Sequence, residues 1–275
     1  MKKVINCVRF NGLNILEQLR YEELLLRNTK DNWFIFNYGT NVPTIVLGLS
    51  GKVLELVNIE RVRDDNIPMV RRYTGGGTVI VDKNTVFSTL IMNSSDAKTQ
   101  PYPREIMNWS DKHIYQRVFS DLIKEKGIQF ALREHDYVLN DVKCGGNAQT
   151  ITKDRWVHHT SFLWDYSLNN MNYLALPKKR PQYRGDRNHN DFLTKLNKFI
   201  DNIDTFHLQI VTALSDEYEV KTVDENDLNQ IIRNILNNRK WDESTTRTMP
   251  EDINLYTVKN KLESLVKQGP SCVNL

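Results

Sequence analysis

Cysteine is scarce in this chain of 275 residues: Cys7, Cys144 and Cys272 are the only three. An odd number at such wide spacing supports neither a disulfide framework nor a cysteine-only zinc site, and a reducing compartment is the simpler setting. No apolar run approaches the ~20 residues that a membrane helix needs. No charge of one sign dominates, because 37 basic residues face 34 acidic ones, too even a balance for a general nucleic-acid binder. Internal repeats are lacking, and asparagine, though abundant, is scattered. No apolar segment follows Lys2 and Lys3, so no secretory signal is expected, and Glu17, Glu22 and Glu23 come too early for a transit peptide. What remains is an ordinary globular composition, 40% hydrophobic and 26% charged, long enough to build its own core. The expectations are a domain that begins near Met1, a cytoplasmic address with an organelle still open, and neither a membrane nor a nucleic acid as partner.

Apolar periodicity predicts an amphipathic helix from Ile15 to Asn28, with Glu22 and Glu23 read as solvated. β-rich runs follow at 33–38 and 44–49, and residues 69–93 read as strand, glycine turn, strand, turn, strand. A helix is predicted over 109–126, with Ser110 as its cap and Gly127 as its stop. Further strands are expected at 128–132, 136–140 and 156–166, with a glycine-containing loop at 143–149. Helices are expected at 204–218, 224–239 and 250–268, and 241–249 reads as a linker. Strands and helices mix without βαβ alternation. The fold class is therefore α+β, a mostly antiparallel or mixed sheet flanked by helices.

Three segments carry candidate chemistry. In 71–82, three consecutive glycines, Gly75, Gly76 and Gly77, lie between β runs, where glycine weakens strands and so needs a reason. One reason is a tight turn or bulge. The other is close approach of backbone N–H groups to an anion, with Arg71 or Arg72 at its edge. No Gly-Lys-Ser/Thr follows, and a strand stands where a dinucleotide fingerprint needs a helix, so neither phosphate-loop motif applies. In 141–149, Lys143 beside small residues is either a solvated lysine or one positive charge set against a ligand in a crowded site; Cys144 next to it reads chiefly as a small structural residue, with a nucleophile as the alternative. In 158–163, His158 and His159 fall on opposite faces of a strand and cannot readily share a metal. Packing and hydrogen bonding are the expected duties there, and no metal-ligating residues are assigned. The basic loop carrying Lys178, Lys179, Arg180, Arg184 and Arg187 is read as exposed charge, able to steer an acidic partner or cover a phosphate.

In this order the segments resemble the lipoate–protein ligase A family, within the biotin/lipoate ligase superfamily. Its pattern is Arg-Arg-x-x-Gly-Gly-Gly-x-Val-x-His-Asp, then about 60–70 residues later a lysine before a Gly/Asn/Ala-rich segment, then a His-His-Gly-Thr-Leu-like strand. The matches are 71–82, 143–148 and 158–163, and the resemblance spans roughly residues 5–245. It implies a biotin/lipoate ligase-like catalytic domain over 1–245 and a short helical tail over 246–275. It implies activation of lipoate with ATP and Mg2+ to lipoyl-AMP, then transfer of the lipoyl group to a lysine of an acceptor domain. Acceptors would be lipoyl domains of 2-oxoacid dehydrogenase complexes or the glycine cleavage H protein. By position, Arg72, Gly75, Gly76, Gly77, Thr78, Val79, Ile80, Lys143, Asn147 and Ala148 would hold ATP and lipoyl-AMP. Lys143, Gly76 and His159 would contact lipoate, and Lys143 would be the catalytic residue.

Three departures qualify the resemblance. Val81 stands at the family's His, Thr160 at its Gly, and only about 30 residues follow Trp241 where many full ligases carry a further domain. A separate accessory subunit, or transfer from preformed lipoyl-AMP, is therefore an alternative. Others are an ATP-independent octanoyl or lipoyl transferase using Cys144, and a non-catalytic binder of lipoate or of the acceptor domain.

Overall fold

A computed structural model describes residues 2–123, 126–176, 180–237 and 245–249. Twelve strands are present among them: β1 (Lys3–Asn11), β2 (Asn32–Tyr38), β3 (Thr44–Leu47), β4 (Met69–Arg71), β5 (Val79–Val81), β6 (Thr85–Asn93), β7 (Phe130–Arg133), β8 (Asp136–Leu139), β9 (Val142–Ile151), β10 (Arg155–Leu163), β11 (Tyr218–Thr222) and β12 (Arg247–Thr248). Eight form one sheet in the order β11-β1-β2-β6-β10-β9-β8-β7. Four form a smaller sheet in the order β12-β4-β3-β5. Pairing in the large sheet is antiparallel except at β1, which runs parallel to both β2 and β11. The architecture is α+β with a mixed sheet, as the sequence predicts.

The central strands are apolar on both faces because both faces are covered. In β2, Phe34 and Phe36 join a cluster with Ile106, Phe119, Phe206 and Ile210, while Trp33 and Ile35 point to the other side with Leu25, Leu26, Leu228 and Ile232. The first layer is built by the Pro103–Ser110, Gln116–Ile123 and Ile203–Ser215 helices, the second by the Ile15–Asn28 and Glu225–Asn237 helices.

Several elements differ from the expectations. The helix expected from 109 begins at Pro103, which takes its first turn. Ser110 is therefore not a cap: it sits inside the helix, its hydroxyl donating to the Met107 carbonyl at 3.0 Å, and a π-turn over Asp111–Tyr115 follows. β1 and β11 had no assignment. The segment read as a loop at 143–149 is extended and lies within β9, because it is hydrogen-bonded to strands on both sides. Glu22 and Glu23 are buried, not solvated, at 0% and 2% exposure. Glu22 follows Ile15 and Leu19 on the stripe that faces the core, so the carboxylate enters with its apolar neighbours. Within the stretch read as a linker, residues 247–248 pair with β4. Nearly all of the tail expected over 246–275, including the 250–268 helix, lies outside the described residues.

Most consequential is the glycine segment. Strand, glycine turn, strand suggests a hairpin, yet β4 and β5 do not pair. They flank β3, one parallel to it and one antiparallel. The connection from Arg72 to Thr78 must therefore cross the end of β3. There the Arg72 N–H donates to the Leu47 carbonyl at 3.0 Å and the Leu49 N–H to the Thr74 carbonyl at 3.0 Å.

Candidate active site

The crossing loop presses against two other backbones. A Cβ built at Gly48 would overlap the carbonyl oxygen of Gly76, and one at Gly76 would lie 3.1 Å from the Asn147 carbonyl. Gly76 also has φ +113°, a conformation that L side chains rarely adopt. The Gly75 N–H donates to the Gln149 carbonyl at 3.0 Å, so the loop is stitched to β9 of the large sheet. Gly77 meets nothing within 4 Å and faces open space.

Both arginines serve backbone. Arg71 Nη1 donates to the carbonyls of Gly48, Leu49 and Gly51 at 2.8–3.1 Å. The buried Arg72 donates to the Gly77 and Gly75 carbonyls at 2.7 and 3.2 Å and to Val46 at 3.4 Å. Burial lowers its guanidinium pKa to about 10, and the charge of Glu22 opposes that fall. The two cations thus hold the carbonyls of adjacent loops inward.

Lys143 lies on β9 beside a bulge at Cys144, where the register to β8 shifts. Such bulges re-aim side chains. Its Nζ is 2.7 Å from the Asp136 carboxylate, whose other oxygen accepts from the Tyr183 hydroxyl at 2.8 Å. Nζ also lies 3.0 Å from a Cβ built at Gly146, so the glycine leaves room for the ammonium. The Thr194 N–H donates to the Lys143 carbonyl at 2.9 Å, which lays the basic segment alongside β9. In that segment Arg184 is buried, stacked over Phe192 at 4.6 Å, and Arg187 donates to the Asp141 carbonyl at 2.9 Å. Arg184 and Arg187 are packing elements, unlike the exposed charge expected, whereas Arg180 is exposed as expected; Lys178 and Lys179 lie outside the described residues.

Cross-strand pairing sets Ala148 opposite His159 and Asn147 opposite Thr160. Thr160, fully buried, donates to the Asn147 Oδ1 at 2.7 Å and fixes that side chain. His159 and His158 go to opposite faces, as expected. His159 joins Glu22, Thr89 and Phe87. His158 is enclosed with Ser110, Tyr137 and Gln149. The Gln149 amide donates to its Nδ1 at 2.9 Å, leaving Nε2–H to meet the Ser110 hydroxyl at 3.1 Å.

Burial, followed by the charge of His159, lowers the His158 pKa to about 3. The unfolded chain then binds a proton below the ordinary value of 6.5 that the folded chain refuses. Stability should fall as pH drops from about 6.5 towards 3, at up to ~1.4 kcal/mol per pH unit from this group. Urea midpoints across that range should show the slope, reduced in His158→Gln.

Cys144 is fully buried in the main core, and burial pushes its thiol far above the ordinary range. Its Sγ donates weakly to the Tyr137 carbonyl at 3.3 Å. A thiol held neutral in a dry core is no nucleophile. Cys144→Ala should change activity little and lower stability by ~1–2 kcal/mol, and the native thiol should resist alkylation until the protein unfolds. Among the described residues no three His, Cys, Asp or Glu side chains cluster to hold a metal.

The three sequence segments thus converge. The glycine loop rests on residues 147–149, Lys143 and Gly146 follow on the same strand, and His159 pairs across from Ala148. Asp136, Tyr183 and Glu22 complete the surroundings and were not among the expected residues; the signal for Glu22 was its place in the apolar stripe, and the other two had none.

The chain as a whole has recognisable relatives. A family model described as lipoyl protein ligase A/B catalytic domain matches residues 14–218. A Plasmodium falciparum protein named inactive lipoate–protein ligase 2 is 31% identical over 201 residues, which is 62% of this chain and 51% of that protein. The chain spans about half the length of the curated relatives it matches. Lipoate-protein ligase A bound with ATP superposes with a TM-score of 0.65 at 18% identity, covering 89% of this chain and 97% of that one. A bi-partite lipoate protein ligase from Thermoplasma acidophilum gives 0.64 at 18% identity, covering 87% and 93%. At such identities the solved structures speak for the fold, and the family match, over most of the chain, for descent. With motif order, topology and loop placement in agreement, the chain belongs to the lipoyl protein ligase A/B catalytic domain family.

Proposed function

We propose that the chain is a lipoate–protein ligase, joining lipoate to ATP as lipoyl-AMP with release of pyrophosphate and passing the lipoyl group to a lysine of an acceptor domain. The observation that carries this reading is the seating of the 75–77 loop on 147–149 with Lys143 on the same strand. A carboxylate attacking an α-phosphate brings two anions together, so N–H donors and a cation must meet there. Gly77 leaves backbone exposed at the loop, and Lys143 supplies the ammonium.

Beneath the loop, Val46, Val70, Val81, Phe87, Ile15 and Leu19 form an apolar cluster that reaches His159 through Phe87. It offers a medium-length acyl chain an apolar wall. Val81, at the family's histidine position, adds to that wall. Magnesium would enter with ATP and be held chiefly by its phosphates, which asks few ligands of the protein. The burial of Cys144 weighs against an ATP-independent transferase that needs a thioester. Acceptors would be lipoyl domains of 2-oxoacid dehydrogenase complexes or the glycine cleavage H protein; a lipoyl domain accompanies the bi-partite ligase among the relatives.

A second reading has its own support: the 31% identical relative is named inactive. In that reading the chain needs an accessory subunit, uses preformed lipoyl-AMP, or only binds. Lipoate-dependent ATP–pyrophosphate exchange is the deciding measurement. Exchange by this chain supports the ligase; acceptor labelling from synthetic lipoyl-AMP alone supports the transfer-only form; neither, with lipoate bound, supports the binder.

A further inference from the structure

The buried carboxylate of Glu22 has a use that packing does not explain. A carboxylate only accepts, so every close polar partner must donate to it. Oε1 is 2.8 Å from Gln18 Nε2, 2.8 Å from the Thr89 hydroxyl and 3.0 Å from His159 Nδ1, and Oε2 is 3.1 Å from the same Nδ1. The Thr89 hydroxyl also lies 3.0 Å from Nδ1, but its one proton goes to Glu22. Nδ1 therefore carries a proton. In the neutral ring Nε2 is then a lone pair, and among the described residues it has no hydrogen-bond partner. Arg72, also buried and near enough for Glu22 to raise its pKa, offsets the carboxylate's charge. His159 stands opposite Ala148 on β10, one residue from the Asn147 carbonyl that supports Gly76.

We propose that Glu22 and His159 are a proton-accepting pair for amide formation, His159 as the base and Glu22 as the residue that positions it. The proposal rests on the ligase reading. In the activation step the reacting groups are a carboxylate and a triphosphate, both anions, and a lone pair has nothing to accept from them. In the transfer step the neutral amine of the acceptor lysine attacks the acyl carbon. A C–N bond forms, the C–O bond to AMP breaks with its electron pair leaving on AMP, and the surplus proton of the amine passes to Nε2. The resulting imidazolium already faces a carboxylate across Nδ1–H, the arrangement that favours it.

Glu22→Gln tests this with little change of shape. The amide oxygen can still accept from Gln18 and Thr89, but the amide NH2 donates to Nδ1 and drives the ring proton onto Nε2. Long-range proton–nitrogen NMR on the full chain should show Nδ1–H in the wild type and Nε2–H in Glu22→Gln. Transfer from synthetic lipoyl-AMP to a lipoyl domain should lose about 100-fold in maximal rate, with the KM for lipoyl-AMP within about threefold. In a His159→Ala background, Glu22→Gln should add almost nothing, because the pair acts as one unit. An Nε2–H tautomer in the wild type, losses that add in the double variant, or pyrophosphate exchange falling as far as transfer would each overturn the proposal. The wild-type tautomer is read without substitution, so the test survives a variant that fails to fold. A wild type that performs neither half-reaction overturns the ligase reading and the base role with it; active wild type with additive variants overturns the pair alone.

Discussion

Lys143→Ala is expected to abolish lipoate-dependent pyrophosphate exchange, lowering kcat/KM by about 10³-fold or more. Two losses combine. The ammonium that would offset the meeting anions is gone, a contribution of order 10²–10³ for one preorganised donor. In addition, Asp136 is left without its partner at 2.7 Å while it is nearly buried. Its carboxylate then repels the approaching carboxylate and phosphate. Tyr183 still donates to the other oxygen and cannot cancel the charge. Stability should fall as well, so a second variant separates the effects. In Lys143→Met with Asp136→Asn, no unpaired charge remains, and the thermal midpoint should recover most of what Lys143→Ala loses. Exchange should stay absent. Recovery of exchange in the double variant would show that Lys143 only neutralises Asp136 and has no part in the reaction.

The same residues show what a sequence can and cannot convey. The Ile15–Asn28 helix was legible because its apolar stripe is a local signal. β2, β6 and β10 were legible because their runs are rich in aromatic and β-branched residues. The order of the glycine, lysine and histidine segments was enough to place the family. The partners of those segments were not legible. Asp136 reaches Lys143 through a bulged hairpin, and Tyr183 comes from the later segment that lies alongside β9. Neither pairing leaves a periodic trace. Glu22 was misread because an acid among charges on a helix is ordinarily solvated; only its phase with Ile15 and Leu19 reveals that it is carried inward. β1 and β11 flank the sheet through parallel pairing across more than two hundred residues, which no short-range signal records.

The glycine segment, read as a turn between two strands, crosses the end of β3 instead, and that crossing makes a sharp prediction. A two-residue hairpin turn asks one or both of its central residues to take positive φ. A crossing over the end of β3 asks for bare backbone on both sides of the contact, Gly48 below and Gly76 above. At Gly48 the obstacle is the φ-independent overlap of a Cβ with the Gly76 carbonyl, and backbone cannot swing away as a flexible side chain would. Gly48→Ala must therefore lift the loop off β3, loosening the Arg72 bond to the Gly77 carbonyl and the Gly75 bond to Gln149. Overpacking of this kind costs about 1–3 kcal/mol of stability. Displacement of the loop by even ~1 Å should lower exchange about 100-fold, since positioning errors of that size have such effects. Gly77→Ala, two bonds from the Arg72 guanidinium's strongest contact but facing open space, should fold with a change of less than ~0.5 kcal/mol. ATP affinity, measured by titration calorimetry alongside thermal melts, then separates the two roles. Gly48→Ala should lose both affinity and stability, because the loop's support is gone. Gly77→Ala should keep its stability and lose affinity alone, because a new methyl group stands where phosphate would meet the backbone. A Gly77→Ala chain that binds ATP as tightly as the wild type would mean that the exposed edge of the loop is not the nucleotide's seat.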